Sequence, residues 1–239
     1  MRLASRSIRL LGLLLAAGYA ACAAAQDRAL YFRVDTGYAW AQPSEFRDRG
    51  PSGIGFLICA NPPCNQPSSI DHLGQSPVYG GGVGWRFSPR LRADLTVSWR
   101  KFAVDGIDGF PEKLHADVNS QATMLTGYWD FRHEGVLKPF VGLGIGLARN
   151  SMGIITENFL LFPGTISASA GVNTSTAYSF SAGAGYKVCD GVVLEVGYRY
   201  IDLGKFQTGT NLILGPINLP YPGAEGKLRT NELTVGLRF

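Results

Sequence analysis

The feature that most constrains this chain is a side-chain period of two that recurs in eight separate stretches. In the first, Leu30, Phe32, Val34, Thr36, Tyr38 and Trp40 alternate with Tyr31, Arg33, Asp35, Gly37 and Ala39. Successive strand residues point to opposite faces, so such a stretch is a strand with one apolar face and one small or charged face. The pattern returns with Tyr79, Val83, Trp85 and Phe87 against Gly80, Gly82, Gly84 and Arg86, and then with Leu91, Ala93, Leu95, Val97 and Trp99 against Arg92, Asp94, Thr96, Ser98 and Arg100. A fourth strand is expected near 117–131, where both phases carry apolar residues and the facing stays open. Val141, Leu143, Ile145 and Leu147 oppose Gly142, Gly144, Gly146 and Ala148 in the fifth. The sixth sets Tyr178, Phe180, Ala182, Ala184 and Tyr186 against Ser179, Ser181, Gly183, Gly185 and Lys187. Leu194, Val196, Tyr198 and Tyr200 oppose Glu195, Gly197 and Arg199 in the seventh, and Leu233, Val235, Leu237 and Phe239 oppose Glu232, Thr234, Gly236 and Arg238 in the eighth.

Stretches of this length cross a bilayer when tilted. Their connections alternate in length. Ser88-Pro89-Arg90, about 132–136, and Cys189-Asp190-Gly191 are short, whereas 43–76, 105–116, 150–175 and 204–227 are long. That is the asymmetry of a membrane barrel with tight turns at the periplasmic end and loops outside. A soluble sandwich would turn its apolar face to a core, but here the second face collects glycine and charge. Glycine there relieves crowding inside a narrow barrel. The expected fold is all-β: an eight-stranded antiparallel up-and-down transmembrane barrel, closed because an open sheet edge in hydrocarbon leaves amides unpaired.

The first 25 residues read as an export address. Arg2, Arg6 and Arg9 precede the apolar run Leu10 to Ala17, and Ala23-Ala24-Ala25 offers a small-residue cleavage site. The expected division is therefore a signal peptide at 1–25 and a barrel domain at 26–239 with four long external loops. Cys22 raises a lipoprotein alternative, which Tyr19 disfavours by standing where such signals take an aliphatic residue. Removing the three arginines lowers the formal charge from +4 to about +1, so the basic balance argues for no nucleic acid. The 31 glycines could mean disorder, but aromatics at 11% and the strand periodicity oppose it.

Leu194-Glu195-Val196-Gly197-Tyr198-Arg199-Tyr200-Ile201-Asp202-Leu203-Gly204, the upstream Lys138-Pro139-Phe140-Val141-Gly142-Leu143-Gly144-Ile145-Gly146, and the terminal Phe239 resemble the opacity-type small porin-like outer-membrane barrels. These are OmpA-like transmembrane barrels, of which this chain is expected to lack the C-terminal peptidoglycan-binding domain, and the chain is loosely similar to OmpW-like barrels as well. The resemblance implies eight strands, surface-exposed loops, contact with outer-membrane lipid and lipopolysaccharide, and insertion by the barrel-assembly machinery, for which Phe239 is the expected signal. It implies no single biochemical activity.

On the alternation, the enclosed face holds Arg33, Arg86, Arg92, Arg100, Lys187, Arg199 and Arg238 with Asp35, Asp94, Glu195 and Glu232. An eight-stranded interior is about filled by side chains, so these groups are expected to pair as a plug rather than line an open ion path. No catalytic residue, cofactor or metal is expected. His72 with Asp71 and Ser76, or His115 with Asp117 and Ser120, match no lipid-modifying motif, and Gly80 to Gly84 lies inside a strand with no helix after it. Among the loops, Phe159, Leu160, Leu161 and Phe162, then Leu212, Ile213 and Leu214, are apolar for solvated segments. They either pack on one another above the membrane or form a contact surface for lipopolysaccharide, an extracellular ligand or a small apolar solute. The function expected is surface interaction or envelope integrity through those loops, with passage of small hydrophobic solutes as the alternative.

Cys59 and Cys64 lie in the first long loop on the oxidising side and are the candidate disulfide, while Cys189 in a periplasmic turn receives no role. Peptide mapping of the non-reduced mature protein should recover a fragment joined through Cys59 and Cys64. Two free thiols there would refute the pairing.

Overall fold

The structure, a computed structural model, describes residues 29–49, 68–70, 73–105, 115–131, 136–158, 165–214, 216–220 and 222–239. Both the candidate disulfide Cys59–Cys64 and the apolar segment Phe159 to Phe162 lie outside the described residues, as does the expected signal peptide. In chain order the strands are β1 (Leu30–Ala41), β2 (Ser44–Asp48), β3 (Ser68–Ile70), β4 (Gln75–Arg86), β5 (Leu91–Asp105), β6 (His115–Asp130), β7 (Leu137–Met152), β8 (Ile155–Asn158), β9 (Thr165–Ala168), β10 (Gly171–Cys189), β11 (Val192–Gln207), β12 (Asn211–Leu214), β13 (Ile217–Pro220) and β14 (Ala224–Arg238).

The eight long strands β1, β4, β5, β6, β7, β10, β11 and β14 pair antiparallel with their neighbours into a closed barrel. Closure is made by β1 against β14, from Arg33 opposite Arg238 to Ala41 opposite Thr230. Phe32 and Phe239 complete it by exchanging both backbone hydrogen bonds, at 2.8 and 2.9 Å, and their rings lie 6.4 Å apart on the outer wall. The short connections behave as the sequence suggests. Ser88 Oγ accepts from the amides of Arg90 and Leu91, and the β10–β11 turn uses Gly191 at φ 81°, a conformation that costs glycine little.

The outer wall carries the exposed apolar residues in a band bounded by aromatics. Phe32, Trp85, Phe87, Trp129, Phe131 and Tyr186 mark the periplasmic rim, and Tyr38, Trp40, Tyr79, Trp99, Tyr178 and Tyr198 the outer one, as interfacial belts do. Inside, two tyrosine rings use glycine for room: a Cβ on Gly84 would strike the Tyr31 ring, and one on Gly142 would come within 2.6 Å of the Tyr128 ring.

The strand whose facing the sequence leaves open resolves as Asn119, Gln121, Thr123, Leu125 and Trp129 outward, and Ser120, Ala122, Met124, Thr126 and Tyr128 inward. Both phases are apolar because the outer half of the barrel interior is itself an apolar core. Phe102, Val118, Met124, Met152, Leu203 and Phe206 are fully buried there. Each such side chain contributes about 1.5–3 kcal/mol on burial. A register shift between Asp202 and Lys205 reverses the alternation of β11, so that Leu203 before it and Phe206 after it both point inward and Lys205 points outward. Gly204 at φ 75° makes the bend, and its amide donates to Asp202 Oδ1 at 2.9 Å.

The expected long loops are partly strand. β8 and β9 form a hairpin, β9 pairs with β12, and β12 with β13, so the third and fourth external connections share one small sheet. It extends the wall from β6 through His115 opposite Thr156.

Because Phe239 closes the last ladder, its deletion should lower the fraction of heat-modifiable, membrane-inserted protein. An equally small deletion in the 43–76 connection should not. The folded-band shift on unheated gels measures both.

Candidate functional site

The periplasmic half of the interior is an ionic layer. β1 brings Tyr31, Arg33 and Asp35, β5 brings Arg92 and Asp94, β6 Asp130, β11 Glu195 and β14 Arg238. Arg33 bonds Asp35 at 2.6 Å and also pairs with Asp94. Arg92 reaches Asp94 and Asp130 at 3.2 Å each and Glu195 at 3.0 Å. Glu195 also faces Arg33 and Arg238, both at 3.5 Å. Tyr31 donates to Asp94, and the Arg92 guanidinium lies 4.0 Å from the Tyr128 ring centre, a cation–π contact favoured where water is excluded. Arg86 is half-buried at the same end.

One level farther out, Glu232 sits between two arginines. Arg100 contacts it at 2.5 Å and Arg199 at 2.5 Å, while the Thr230 hydroxyl donates to it at 3.0 Å. Above this triad the apolar core begins. Among the described residues, charge and then hydrocarbon thus occupy successive levels of the interior.

Ten of the eleven expected network residues lie on the enclosed face; Lys187 does not. Its side chain is half exposed and pairs with Asp190 at 2.6 Å in the β10–β11 turn. It is the last β10 residue in regular register, opposite Val193 and just before the shift to Cys189, so it stands at the rim, where a long side chain reaches water. The hydrogen bond from Lys187 holds the Asp190 carboxyl below its ordinary range. Asp130, Tyr31 and Tyr128 are network members the sequence reading did not assign. Cys189, given no role from sequence, is disulfide-bonded, with its partner outside the described residues.

Two residues of the histidine-centred groupings are engaged elsewhere. Ser76 Oγ donates to the Pro77 carbonyl and accepts from the Lys101 amide, and Asp117 pairs with Lys101 at 2.8 Å. Gly80 to Gly84 lies within β4. Asp71 and His72 fall outside the described residues.

At the outer tip, Ile213 of β12 is partly exposed, joined by Ile154 on the β7–β8 connection and by Ile217 and Leu219 of β13. Leu212 and Leu214 are placed in β12 by backbone. Every residue of β13 is exposed, and the strand pairs only with β12 among the described residues.

The family model described as Outer membrane protein beta-barrel domain matches residues 11–239. The chain belongs to that family. It is 29% identical over 178 residues to outer membrane protein PagN of Salmonella typhimurium strain LT2, covering 68% of this chain and 72% of that protein. A Rickettsia conorii protein named as a candidate adhesin is 28% identical over 207 residues, covering 81% of this chain and 77% of its own. Among solved structures, the outer membrane protein OprG from Pseudomonas aeruginosa superposes with a TM-score of 0.52 at 15% identity, over 89% of this chain and 97% of that one. This is an outer-membrane barrel of the small, loop-bearing kind.

The ionic layer yields a stability prediction. Glu195→Ala would leave Arg92, Arg33 and Arg238 facing one another with less counter-charge in a space closed to water. The expected loss is about 3–5 kcal/mol, read from urea unfolding in liposomes. An unchanged midpoint would contradict the pairing.

Proposed function

We propose that the protein acts at the cell surface as an adhesive or surface-interaction module, through the sheet that β8, β9, β12 and β13 form at the outer tip. The observation carrying this reading is that Ile213, Ile217 and Leu219 stand exposed on strands held in register by β-pairing, with Ile154 exposed on the β7–β8 connection. Exposed apolar groups on an ordered, solvent-facing element mark contact surfaces. The names of the Rickettsia relatives point the same way. The reading assigns no catalytic step, and it treats the barrel as a filled post rather than a conduit, because an ionic layer and an apolar core occupy successive levels of the interior.

The test is adhesion by a non-adherent host displaying the protein. Ile213→Ser, Ile217→Ser and Leu219→Ser combined should cut attachment to cultured epithelial cells several-fold while the folded-band shift and surface display stay unchanged. Equal attachment by the triple variant would move the contact elsewhere. In planar bilayers the wild-type protein should give no steady conductance, whereas the alternative of solute passage requires transport that survives loss of the tip residues.

A further inference from the structure

A second feature of the outer wall is unrelated to the tip. Just above the outer aromatic belt, a groove of about 590 Å³ opens on the external face of β4 to β7 and β10, with Lys101 and Arg149 on its sides. The ladders give its plan. Trp99 lies opposite Gln121, and Gln121 opposite Arg149; Lys101 lies opposite Asn119, and Asn119 opposite Ser151. All these side chains alternate outward. Following partners round the barrel from Arg33 through Gly82, Thr96, Met124, Gly146 and onward returns the ladder to β1 nearer its outer end. Each step from β4 towards β10 therefore climbs.

That stagger brings Lys101 and Arg149, two strands and two residues apart, to nearly one height, roughly 12 Å apart by strand spacing and rise. The amide side chains of Gln121 and Asn119 lie between them. Tyr79 and Trp99 wall the lower side and lead into the apolar band of Val97, Leu147, Leu95 and Leu125. Lys101 shares its charge with Asp117 at 2.8 Å. Among the described residues the Arg149 side chain has no ion-pair or hydrogen-bond partner.

We propose that this groove binds the phosphorylated sugar headgroup of an outer-leaflet glycolipid of the lipid A class, with the phosphate held by Lys101 and Arg149. The plan admits that chemistry and disfavours a soluble anion, since the cations stand on the lipid-facing wall rather than in the lumen or at the tip. Two cations with amide donors between them suit a phosphate. An aromatic floor running into hydrocarbon suits the acyl chains of the same molecule. The inference rests on the outer-membrane placement of the barrel and is independent of the adhesive reading.

The experiment is native mass spectrometry of the detergent-released protein refolded with acyl-matched bisphosphorylated or dephosphorylated lipid A. The wild-type protein should retain the phosphorylated form about tenfold better, the worth of one good charge-assisted contact. Lys101→Gln with Arg149→Gln should abolish the preference. Arg149→Lys should keep part of it. Lys205→Gln with Lys227→Gln, adjacent cations on the far wall, should leave it unchanged. Excess inorganic pyrophosphate should not displace the lipid. No preference in the wild-type protein, retention by the groove variant, or equal loss in the far-wall variant would overturn the proposal. Displacement by pyrophosphate would also overturn it, in favour of a free-anion site. The folded-band shift, run on every variant, reports barrel insertion separately, so a failure of the outer-membrane placement would be seen as such.

Discussion

Everything in this molecule follows from the need to satisfy backbone amides where water is absent. In hydrocarbon an unpaired peptide group costs several kcal/mol, so a sheet can cross only if its first and last strands find each other. The pairing of β1 with β14, finished by the reciprocal Phe32–Phe239 bonds, is that event. Once eight strands close, the diameter is set and the interior must be filled by the side chains they bring. The glycines beneath the Tyr31 and Tyr128 rings show how little room is left.

The filling changes character with height, and the reason lies on the other side of the wall. At membrane depth the outer face is already apolar, so lipid solvates it and the inner face is free to be polar provided each charge finds a partner. Arg33, Arg92, Glu195 and Asp94 do so. Above the apolar band the outer face meets headgroups and then water, with Lys101, Gln121, Lys205 and Arg229 turned outward. There the sheet needs a hydrophobic core of its own, as any water-soluble barrel does. Phe102, Val118, Met152 and Phe206 supply it. One chain thus folds by membrane-protein rules below and by soluble-protein rules above, with the Arg100–Glu232–Arg199 triad at the junction.

Seven strand faces were legible because polar and apolar phases stay apart along them. The eighth, β6, was not, since Val118, Ala122 and Met124 fill the upper core while Leu125 and Trp129 meet lipid, and a residue's hydropathy alone does not say which. The network was legible as a set of charges but not as pairs. Glu195 joins arginines from three strands distant in sequence, and Asp130 entered only once the phase of β6 was fixed. Lys187 misled because alternation ignores strand ends. The Asp202–Gly204 bulge lay within the motif that suggested the family, yet its work of reversing the facing of β11 is a matter of φ and hydrogen bonding. The pairing of β9 with β12 joins segments more than forty residues apart and leaves no mark in local periodicity.

The unequal length of wall and membrane has a consequence for where the protein can work. β10 alone runs 19 residues, about 45 Å when tilted, against an apolar band of about 25 Å. The barrel is a stiff pedestal that lifts its tip about 20 Å clear of the lipid. A short surface sugar would leave that tip standing proud; a long polysaccharide coat would drown it. Whether the same folded protein meets anything beyond its own cell is thus decided by the thickness of the surrounding glycan, a property the cell can vary without touching this chain.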